Sequence, residues 1–346
     1  MMKILQVITK NELGGAQTVV AHLANDLCQE HEVIVASGEG DGKFFEMLDP
    51  RIESVNVRHL IRRISLKDDL LALFELRRLR KKYNPDIVHL HSTKAGLLGR
   101  IVFPRKKIVY TVHGFDSVRV AYRPLLPVEK IMQYFCSAIV GVSNYDIHNM
   151  LAEGIRKNVR CIYNGIPVGT ANIDCSLDDN IRKYTKKVLC IARLAKPKRW
   201  DIFMATAKLL PDVAFLWVGN QEPVVEHPDN VFFLGNIVNA SKYNSLVDLF
   251  ILPSDFEGLP MVIIEAMSYG KPIVASNVGG ISEIVRDNYN GYVVNNSSDE
   301  FANRISEILE NDNLKYIFSE RSRDIFKSEL TVNKMVDNYL KIYKSL

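Results

Sequence analysis

The feature that most constrains this 346-residue chain is a repeated alternation of short apolar segments with segments of helical length. The apolar segments are rich in Val, Ile, Leu and Phe and are nearly continuous, with few interspersed polar residues. Such runs predict strands buried on both faces, as in parallel sheets covered by helices. The predicted strands are 3–9, 32–37, 86–91, 107–112 and 138–143 in the first half, and 187–192, 214–219, 230–235, 246–253, 271–276 and 291–294 in the second.

Two series of strands predict two α/β domains, each with a doubly wound, Rossmann-like parallel sheet. The chain is long enough for each domain to bury its own core. The apolar pattern lapses over 163–186, where we place the seam between the domains. We therefore expect a first domain over 1–165 and a second over 166–330, with the C-terminal helix 331–346 packing back on the first. Predicted helices include 17–29, 66–83, 123–137 and 261–269.

Residues that directly follow a strand are the candidate functional residues, because open parallel sheets bind ligands beyond the carboxyl ends of their strands. Gly14 and Gly15 follow the first strand and lead into a helix, whose free N–H groups could face an anion. A tight turn accounts for these glycines equally well. His113 follows the fourth strand, where a histidine either hydrogen-bonds a polar ligand or is a satisfied structural residue. His89 and His91 leave the same choice open.

Two cations follow the first strand of the second half. Arg193 ends this strand and Lys198 comes shortly after it. A planar guanidinium and a compact ammonium together suit a diphosphate, and a solvated basic loop is the alternative. Gly219 ends the next strand, where the backbone could approach a ligand closely. No strand is followed by G-x-G-x-x-G, which argues against a dinucleotide oxidoreductase.

The segment SDFEGLPMVIIEAMSYGKPIVAS, residues 254–276, joins a strand to a helix that is apolar on every side. Pro260 suits the start of this helix, and the free N–H groups there favour phosphate or sugar oxygens. Glu257 precedes the helix, and Glu265 lies about two turns into it. Because a buried carboxylate is costly without a partner, Glu265 either accepts hydrogen bonds from a vicinal diol such as ribose or pairs with a core Lys or Arg.

The order and spacing of these motifs resemble the retaining glycosyltransferases of family 4, over essentially the whole chain. The motifs are LGGAQ (13–17), HGFD (113–116), VSN (142–144), NGI (164–166), ARLAKPK (192–198), VG (218–219) and E-x7-E (257–265). The resemblance implies the GT-B fold, in which two Rossmann-like domains face each other across a cleft. HLHSTKAGLLGR (89–100) is similar to members that build bacterial surface polysaccharides on lipid carriers.

The resemblance also implies a role for each matching residue. Gly15 approaches the donor phosphate and His113 contacts the donor sugar. Arg193 and Lys198 hold the diphosphate, whereas Glu257 contacts the transferred sugar and Glu265 binds the ribose. The implied catalytic residues are His113, Arg193, Lys198 and Glu257, and the implied substrate-binding residues are Gly14, Gly15, Asn144, Asn164, Gly219, Phe256, Gly258, Leu259 and Glu265.

The expected reaction transfers a sugar, with retention, from a nucleotide-diphosphate sugar to a glycan or a polyprenyl-diphosphate-linked acceptor. A UDP-sugar is the first candidate donor, and no cofactor is expected. No metal is expected either, because the chain contains no Asp-x-Asp triplet. A sugar-nucleotide epimerase on the same fold is the main alternative, and a non-catalytic sugar-nucleotide-binding protein is another. Nucleic-acid binding is disfavoured because the basic residues lack interleaved aromatics.

Charge is unevenly distributed along the chain. Residues 1–165 carry 24 Lys and Arg against 17 Asp and Glu, whereas residues 166–346 carry 20 against 23. Part of the first-half excess lies on helix 66–83, so we expect the basic end of this helix to make weak contact with an anionic membrane. Chance distribution of solvated charge is the alternative. On the same helix an apolar stripe is expected to pack inward on the sheet: Leu70, Leu71, Leu73 and Phe74.

The five cysteines show neither C-x-x-C spacing nor clustering with histidine. They are expected to be reduced and buried, with no disulfide and no zinc site. No apolar stretch approaches the length of a membrane span. We therefore expect a cytoplasmic protein, located in part at the inner face of the plasma membrane.

Overall fold

The computed structural model of the chain describes residues 1–169 and 176–346. It divides into two units: Met1–Pro167 together with Thr331–Leu346, and Val168–Leu330. The predicted seam over 163–186 falls partly, at 170–175, outside the described residues, and so does Cys175. Cys28, Cys136 and Cys190 form no disulfide with any described residue.

The first unit contains a parallel sheet of seven strands in the order β3-β2-β1-β4-β5-β6-β7. All five strands predicted in this half are present. The two that the pattern does not predict lie at the sheet edges, where short strands with exposed residues replace apolar runs. The strands are β1 (Lys3–Ile8), β2 (Glu32–Ser37), β3 (Glu53–Asn56), β4 (Ile87–His91), β5 (Ile108–Val112), β6 (Ala138–Gly141) and β7 (Val159–Cys161).

Helices cover this first sheet. Parallel strands are joined by right-handed crossovers. A connection that runs leftward in the strand order above therefore places its helix on one face of the sheet, and a connection that runs rightward places its helix on the other face. Helices α2, α3 and α4 follow rightward connections and pack side by side. The predicted helix 123–137 is wrong as one element: Pro124 and Pro127 lack N–H donors, and α4 is flanked by short 3-10 turns. The helices are α1 (Gly15–Leu27), α2 (Leu66–Tyr83), α3 (Thr93–Val102), α4 (Leu126–Met132) and α5 (Asn144–Ala152).

Helix α2 turns to the core a face that overlaps only in part with the apolar stripe predicted from the sequence. Its buried residues are Ala72, Leu76, Leu79 and Tyr83, which follow the spacing of one helical face. Leu70 and Phe74 are 57% and 56% exposed. Of the four residues predicted to pack inward, Leu73 is partly buried against the core, whereas Leu70 and Phe74 face solvent.

An ion pair joins α3 to α4 in the core of the first unit. The Nη2 atom of Arg100 donates to both carboxylate oxygens of Glu129, at 2.9 and 2.7 Å. Arg100 also donates from Nε to the Gly96 carbonyl at 2.8 Å, and its guanidinium lies 4.3 Å from the centre of the Tyr110 ring. Both charged side chains are buried. Each of the two charges is therefore stabilised by the other, because water does not reach them.

The second unit contains a parallel sheet of six strands in the order β10-β9-β8-β11-β12-β13. All six strands predicted in this half are present, several of them shorter than predicted. The strands are β8 (Lys186–Ile191), β9 (Val213–Val218), β10 (Val231–Phe233), β11 (Leu249–Leu252), β12 (Ile273–Ser276) and β13 (Gly291–Val294). The helices are α6 (Asp179–Arg182), α7 (Trp200–Leu209), α8 (Met261–Ser268), α9 (Ile281–Ile284), α10 (Ser298–Leu309) and α11 (Asp312–Glu329).

The last helix, α12 (Val332–Tyr343), belongs to the first unit and packs against α1. The Val332 N–H donates to the Ile166 carbonyl at 2.8 Å. Tyr339 and Tyr343 are buried and reach the sheet. The Tyr339 hydroxyl lies 3.0 Å from Thr111 Oγ1, and the Tyr343 hydroxyl lies 2.6 Å from His89 Nδ1.

Candidate active site

Each sheet has a point at which the strand order reverses, and several of the predicted site residues follow a strand that flanks it. In the first unit this point lies between β1 and β4, and in the second between β8 and β11. Crevices at such points are the usual ligand sites of open α/β sheets. Arg193 and Lys198 follow β8, and Glu257 follows β11. The predicted cations and the predicted carboxylate therefore come from the two strands that flank the reversal.

Backbone pairing brings Lys198 to Glu257. The segment after β8 runs antiparallel to the segment after β11, with an isolated bridge between Lys198 and Ser254. Lys198 Nζ donates to Glu257 Oε1, which also accepts from Ser254 Oγ at 2.7 Å. The two charged side chains are only 17% and 12% exposed. The site thus holds a positive charge in a fixed position, with its carboxylate oriented by a second donor. Sequence reasoning did not identify Ser254, whose only signal was its place in the loop.

Arg193 does not share this arrangement. Its side chain is exposed and makes no ion pair or hydrogen bond with any described residue. Of the two predicted cations, Lys198 is held in place by protein groups, and Arg193 remains available to a ligand.

Glu265 lies on α8 and is half-buried. Its carboxylate has no ion pair and no hydrogen bond to any described residue. The predicted alternative, an ion pair with a core Lys or Arg, is therefore not observed. Burial raises the pKa of Glu265 to about 7. An unpaired carboxylate of this kind has capacity for hydroxyl donors, which suits a diol ligand.

The loop between Glu257 and α8 is fixed by its neighbours. The Gly280 N–H donates to the Gly258 carbonyl at 2.9 Å, Leu259 is buried, and Phe256 is 42% exposed. Pro260 is the residue before the first helical residue of α8, one position earlier than predicted. These contacts give the loop one shape before any ligand binds.

Gly219 has a structural requirement for glycine. Its φ is +117°, and a Cβ atom there would lie 2.5 Å from the Ala192 carbonyl oxygen. The group that approaches this glycine closely is therefore the backbone beside Arg193. A side chain at Gly219 would displace the loop that carries Arg193. Contact between Gly219 and a ligand stays a prediction.

In the first unit, His113 directly follows β5 and lies beside a second histidine. His113 Nε2 lies 3.0 Å from His91 Nδ1, and His113 Nδ1 is buried without a partner among the described residues. Burial lowers the pKa of His113 to about 4. The loop that follows is anchored to α5, because Asp146 Oδ1 accepts from the Phe115 N–H at 2.7 Å. His113 is therefore a neutral side chain on an ordered loop. The sequence left the role of His91 open, and it did not identify Asp146.

The remaining predicted residues lie at the same end of the first sheet. Gly14 precedes α1 and Gly15 is its first residue. Asn144 begins α5 and donates from Nδ2 to the Tyr163 hydroxyl at 2.9 Å, and Asn164 is buried. Within the described parts of the chain, no cluster of three or more His, Cys, Asp or Glu residues could hold a metal ion. The helices of those same parts include none that is long and apolar enough to cross a bilayer.

Comparisons with known proteins agree with this architecture. The model of the Glycosyltransferase Family 4 domain matches residues 13–169, and that of Glycosyl transferases group 1 matches residues 185–311. The structure of Anabaena HepE in complex with UDP-glucose is 22% identical, covers 100% of both chains, and superimposes with a TM-score of 0.83.

Two relatives from Escherichia coli match nearly end to end. The chain is 28% identical to UDP-Gal:α-D-GlcNAc-diphosphoundecaprenol α-1,3-galactosyltransferase, over 99% of this chain and 96% of the relative. It is 29% identical to the O-antigen biosynthesis glycosyltransferase WbnH, over 98% and 97%. The fold and the matched domains define a GT-B glycosyltransferase. Within that class, the chain belongs to glycosyltransferase family 4.

Proposed function

We propose that this glycosyltransferase transfers a sugar from a UDP-sugar, with retention, to a polyprenyl-diphosphate-linked glycan during the synthesis of a bacterial surface polysaccharide. The observation that carries the proposal is the fixed Lys198–Glu257–Ser254 group at the strand reversal of the second sheet. The names of the E. coli relatives support a diphospholipid acceptor and O-antigen synthesis. The HepE complex supports a uridine nucleotide.

In the proposed reaction, positive charge stabilises the departing diphosphate. Lys198 is already positioned for this role, and Arg193 has no partner among the described residues to release. Donors fixed before the reaction are effective because they need no reorganisation as charge develops. Glu257 contacts the transferred sugar, and the acceptor hydroxyl attacks from the face that the diphosphate leaves. Neither a metal ion nor a covalent intermediate on the protein is part of the proposal.

The direct test is product analysis with a panel of UDP-sugars and a synthetic polyprenyl-diphosphate sugar. We expect a product only when the acceptor is present, with the anomeric configuration of the donor, and with unchanged yield in excess EDTA. Epimerised donor formed without acceptor would identify an isomerase. Inversion, or loss of yield that Mn²⁺ or Mg²⁺ restores, would overturn the retaining or metal-independent part of the proposal.

Glu265 provides a prediction about pH. Burial gives Glu265 a folded-state pKa of about 7, above the ordinary value of 4.5. Between these two values the folded protein retains a proton that the unfolded chain has lost, so the contribution of Glu265 to stability falls as pH rises through this window and is constant above it. We expect the difference in Tm, that of Glu265→Gln minus that of the unaltered protein, to become more positive from pH 4.5 to pH 7.

The stabilisation of the protein by a bound nucleotide should increase with pH, whereas the contribution of Glu265 to stability falls. The ribose hydroxyls of the donor would donate to the ionised carboxylate, so the Tm increase caused by UDP should grow as pH rises through about 7. Glu265→Gln should remove this growth. Asp248→Asn is a matched control on the same unit, because Asp248 already has a partner in Lys315 at 3.5 Å. A UDP response of Glu265→Gln equal to that of the unaltered protein would place the ribose elsewhere.

The face of the first unit formed by α2, α3 and α4 supports the proposed membrane contact. It exposes large apolar side chains, whereas none on α1 or α12 is exposed. Helix α2 also carries six Lys and Arg against three Asp and Glu. Exposed apolar groups among cations are the combination that binds an anionic bilayer. The exposed apolar residues are Leu66, Leu70, Phe74, Ile101, Val128, Ile131, Tyr134 and Phe135.

Vesicle binding tests this face. The double variant Phe74→Ser, Ile131→Ser should bind vesicles of phosphatidylglycerol and phosphatidylcholine at least tenfold more weakly, because each buried apolar side chain contributes ~1.5–3 kcal/mol. Reversing Arg62, Arg63 and Arg78 to Glu should abolish the dependence on anionic lipid. Tyr316→Ser, which changes an exposed aromatic residue of the second unit, is the control. Equal binding by all variants would leave a soluble acceptor as the better proposal.

A further inference from the structure

The Lys198–Glu257–Ser254 group is connected to two further strand ends. The Ser254 N–H donates to Ser276 Oγ at 2.8 Å, and the Ser254 carbonyl accepts from Asn296 Nδ2 at 2.9 Å. Ser276 Oγ donates to Asn296 Oδ1 at 2.5 Å, which closes a ring of hydrogen bonds. Ser276 is the last residue of β12, and Asn296 follows the end of β13. Side chains from two neighbouring strands therefore hold both backbone polar groups of Ser254.

Each bond of this ring has only one possible direction. A backbone N–H can only donate, so Ser276 Oγ accepts from Ser254 and keeps its own proton for Asn296 Oδ1. A reversed Asn296 amide would bring its oxygen against the Ser254 carbonyl oxygen and against the carboxylate of Asp255, which lies 3.3 Å from Nδ2. Two acceptors cannot form a hydrogen bond without a donor. The orientation of the Asn296 amide therefore follows from its partners.

Burial and backbone pairing make this ring the determinant of where Ser254 lies. Ser254 and Ser276 are 0% and 1% exposed, so water cannot take the place of a missing partner. A buried polar group that loses its partner keeps the cost of its lost hydration. The preceding residue is paired as well, because the Pro253 carbonyl accepts from the Arg199 N–H at 3.0 Å. Ser254 is therefore held in one position.

The position of Ser254 determines how Glu257 is bound. Ser254 Oγ and Lys198 Nζ both donate to Oε1 of Glu257. Within the described parts of the chain, no group donates to Oε2 of Glu257. A carboxylate with both protein donors on one oxygen keeps the lone pairs of the other for hydroxyl groups of a ligand. Without the Ser254 donor, Lys198 alone would hold the carboxylate, which could then turn about this single contact.

We propose that Asn296 is a positioning residue for Glu257. Asn296 holds Ser254 in the place from which the serine hydroxyl binds Oε1, and Oε2 is left for the transferred sugar. The hydrogen bonds are those of the second unit alone, whereas the use of Oε2 on a sugar rests on the proposed function. Asn296 acts on Glu257 through Ser254.

A double-mutant cycle tests this route. Asn296→Leu keeps the branched shape and removes the amide, and Ser254→Ala removes the donor to Glu257. Each should lower kcat about tenfold, roughly what one neutral hydrogen bond contributes, and should leave the Kd of UDP, which lacks the sugar, unchanged. Because both changes act through one contact, the double variant should be no slower than Ser254→Ala alone. Additive losses in kcat, or equal losses of affinity for UDP and UDP-sugar, would overturn the inference.

The pH dependence of Asn296→Asp is a second test. At about pH 8 the new carboxylate has no proton to donate to the Ser254 carbonyl. That carbonyl and Asp255 favour the protonated carboxyl, so the donor should return as the pH falls to about 5. We expect the kcat of this variant, relative to the unaltered protein at each pH, to rise over this range. Asn295→Asp is the control, because it makes the same change at an exposed neighbouring residue. A ratio that does not depend on pH would contradict the proposal.

Failure of the proposed function would be a distinct result, because the unaltered protein would then form no product from any UDP-sugar. Crystal structures of the unaltered protein and of Asn296→Leu decide the inference in that case. Glu257 should keep its contact with the Ser254 hydroxyl in the first and lose it in the second. The same contact in both would mean that the position of Ser254 does not depend on Asn296.

Discussion

Lys198→Ala is expected to lower kcat by ~10²–10³, which is the usual cost of losing one preorganised charge contact in an active site. The ammonium group of Lys198 is held by Glu257 and is largely shielded from water, so its charge acts at short range and with little screening. Removal of the Lys198 side chain also leaves the Glu257 carboxylate without its cation. The negative charge of Glu257 then opposes the charge that develops on the departing diphosphate. Steady-state kinetics with a saturating UDP-sugar measures the effect.

The same loop supplies a control for this prediction. Lys196 is exposed, lies two positions earlier, and makes no ion pair with any described residue. Lys196→Ala removes one positive charge from the loop and should change kcat less than twofold, since exposed charges are screened. If the two alanine variants had equal activity, Lys198 would be a structural partner of Glu257, and the diphosphate would bind elsewhere.

Glu129→Leu should lower the free energy of unfolding of the first unit by ~3–5 kcal/mol, because it leaves the guanidinium of Arg100 buried without its carboxylate. Breaking a buried pair by one change is costly, whereas replacing both partners by apolar residues is often neutral. The double variant Arg100→Met, Glu129→Leu should therefore recover most of the loss. Urea denaturation followed by circular dichroism compares the variants.

An exposed pair in the same unit is the reference for that experiment. Lys3 and Glu32 lie 3.0 Å apart with 34% and 46% of their side chains exposed. Glu32→Gln should change the free energy of unfolding by less than ~1 kcal/mol. A double variant of Arg100 and Glu129 as unstable as Glu129→Leu would mean that the packing of the two side chains, and not their charges, stabilises the junction of α3 and α4.

The sequence predicted the sheets well where strands are buried and poorly where they are not. All six strands of the second unit are apolar runs, and their burial follows from that pattern. The edge strands β3 and β7 have few apolar residues, so no local pattern indicated them. The inward face of α2 was predicted only in part: Leu73 packs against the core, but Leu70 and Phe74 are exposed, and the helix buries Ala72 and Tyr83.

Candidate site residues could be found from their places at strand ends, but their partners could not. The contact of Lys198 with Glu257 joins residues 59 positions apart and depends on pairing between two loops. The contact of His91 with His113 depends on the neighbouring positions of β4 and β5 in the sheet. By contrast, the unpaired state of Glu265 agrees with an inference available from the sequence, namely that a charge in an apolar helix needs either a partner or a ligand.

The return of α12 to the first unit has a consequence for how the protein is made. The ribosome releases the seven strands of the first unit before any strand of the second, yet Tyr339 and Tyr343 emerge only after the second unit. Until then Thr111 and His89, both buried in the finished sheet, lack their hydroxyl partners. The second unit is a continuous segment and can complete its contacts during synthesis. The first unit is therefore completed only after the second has been synthesised.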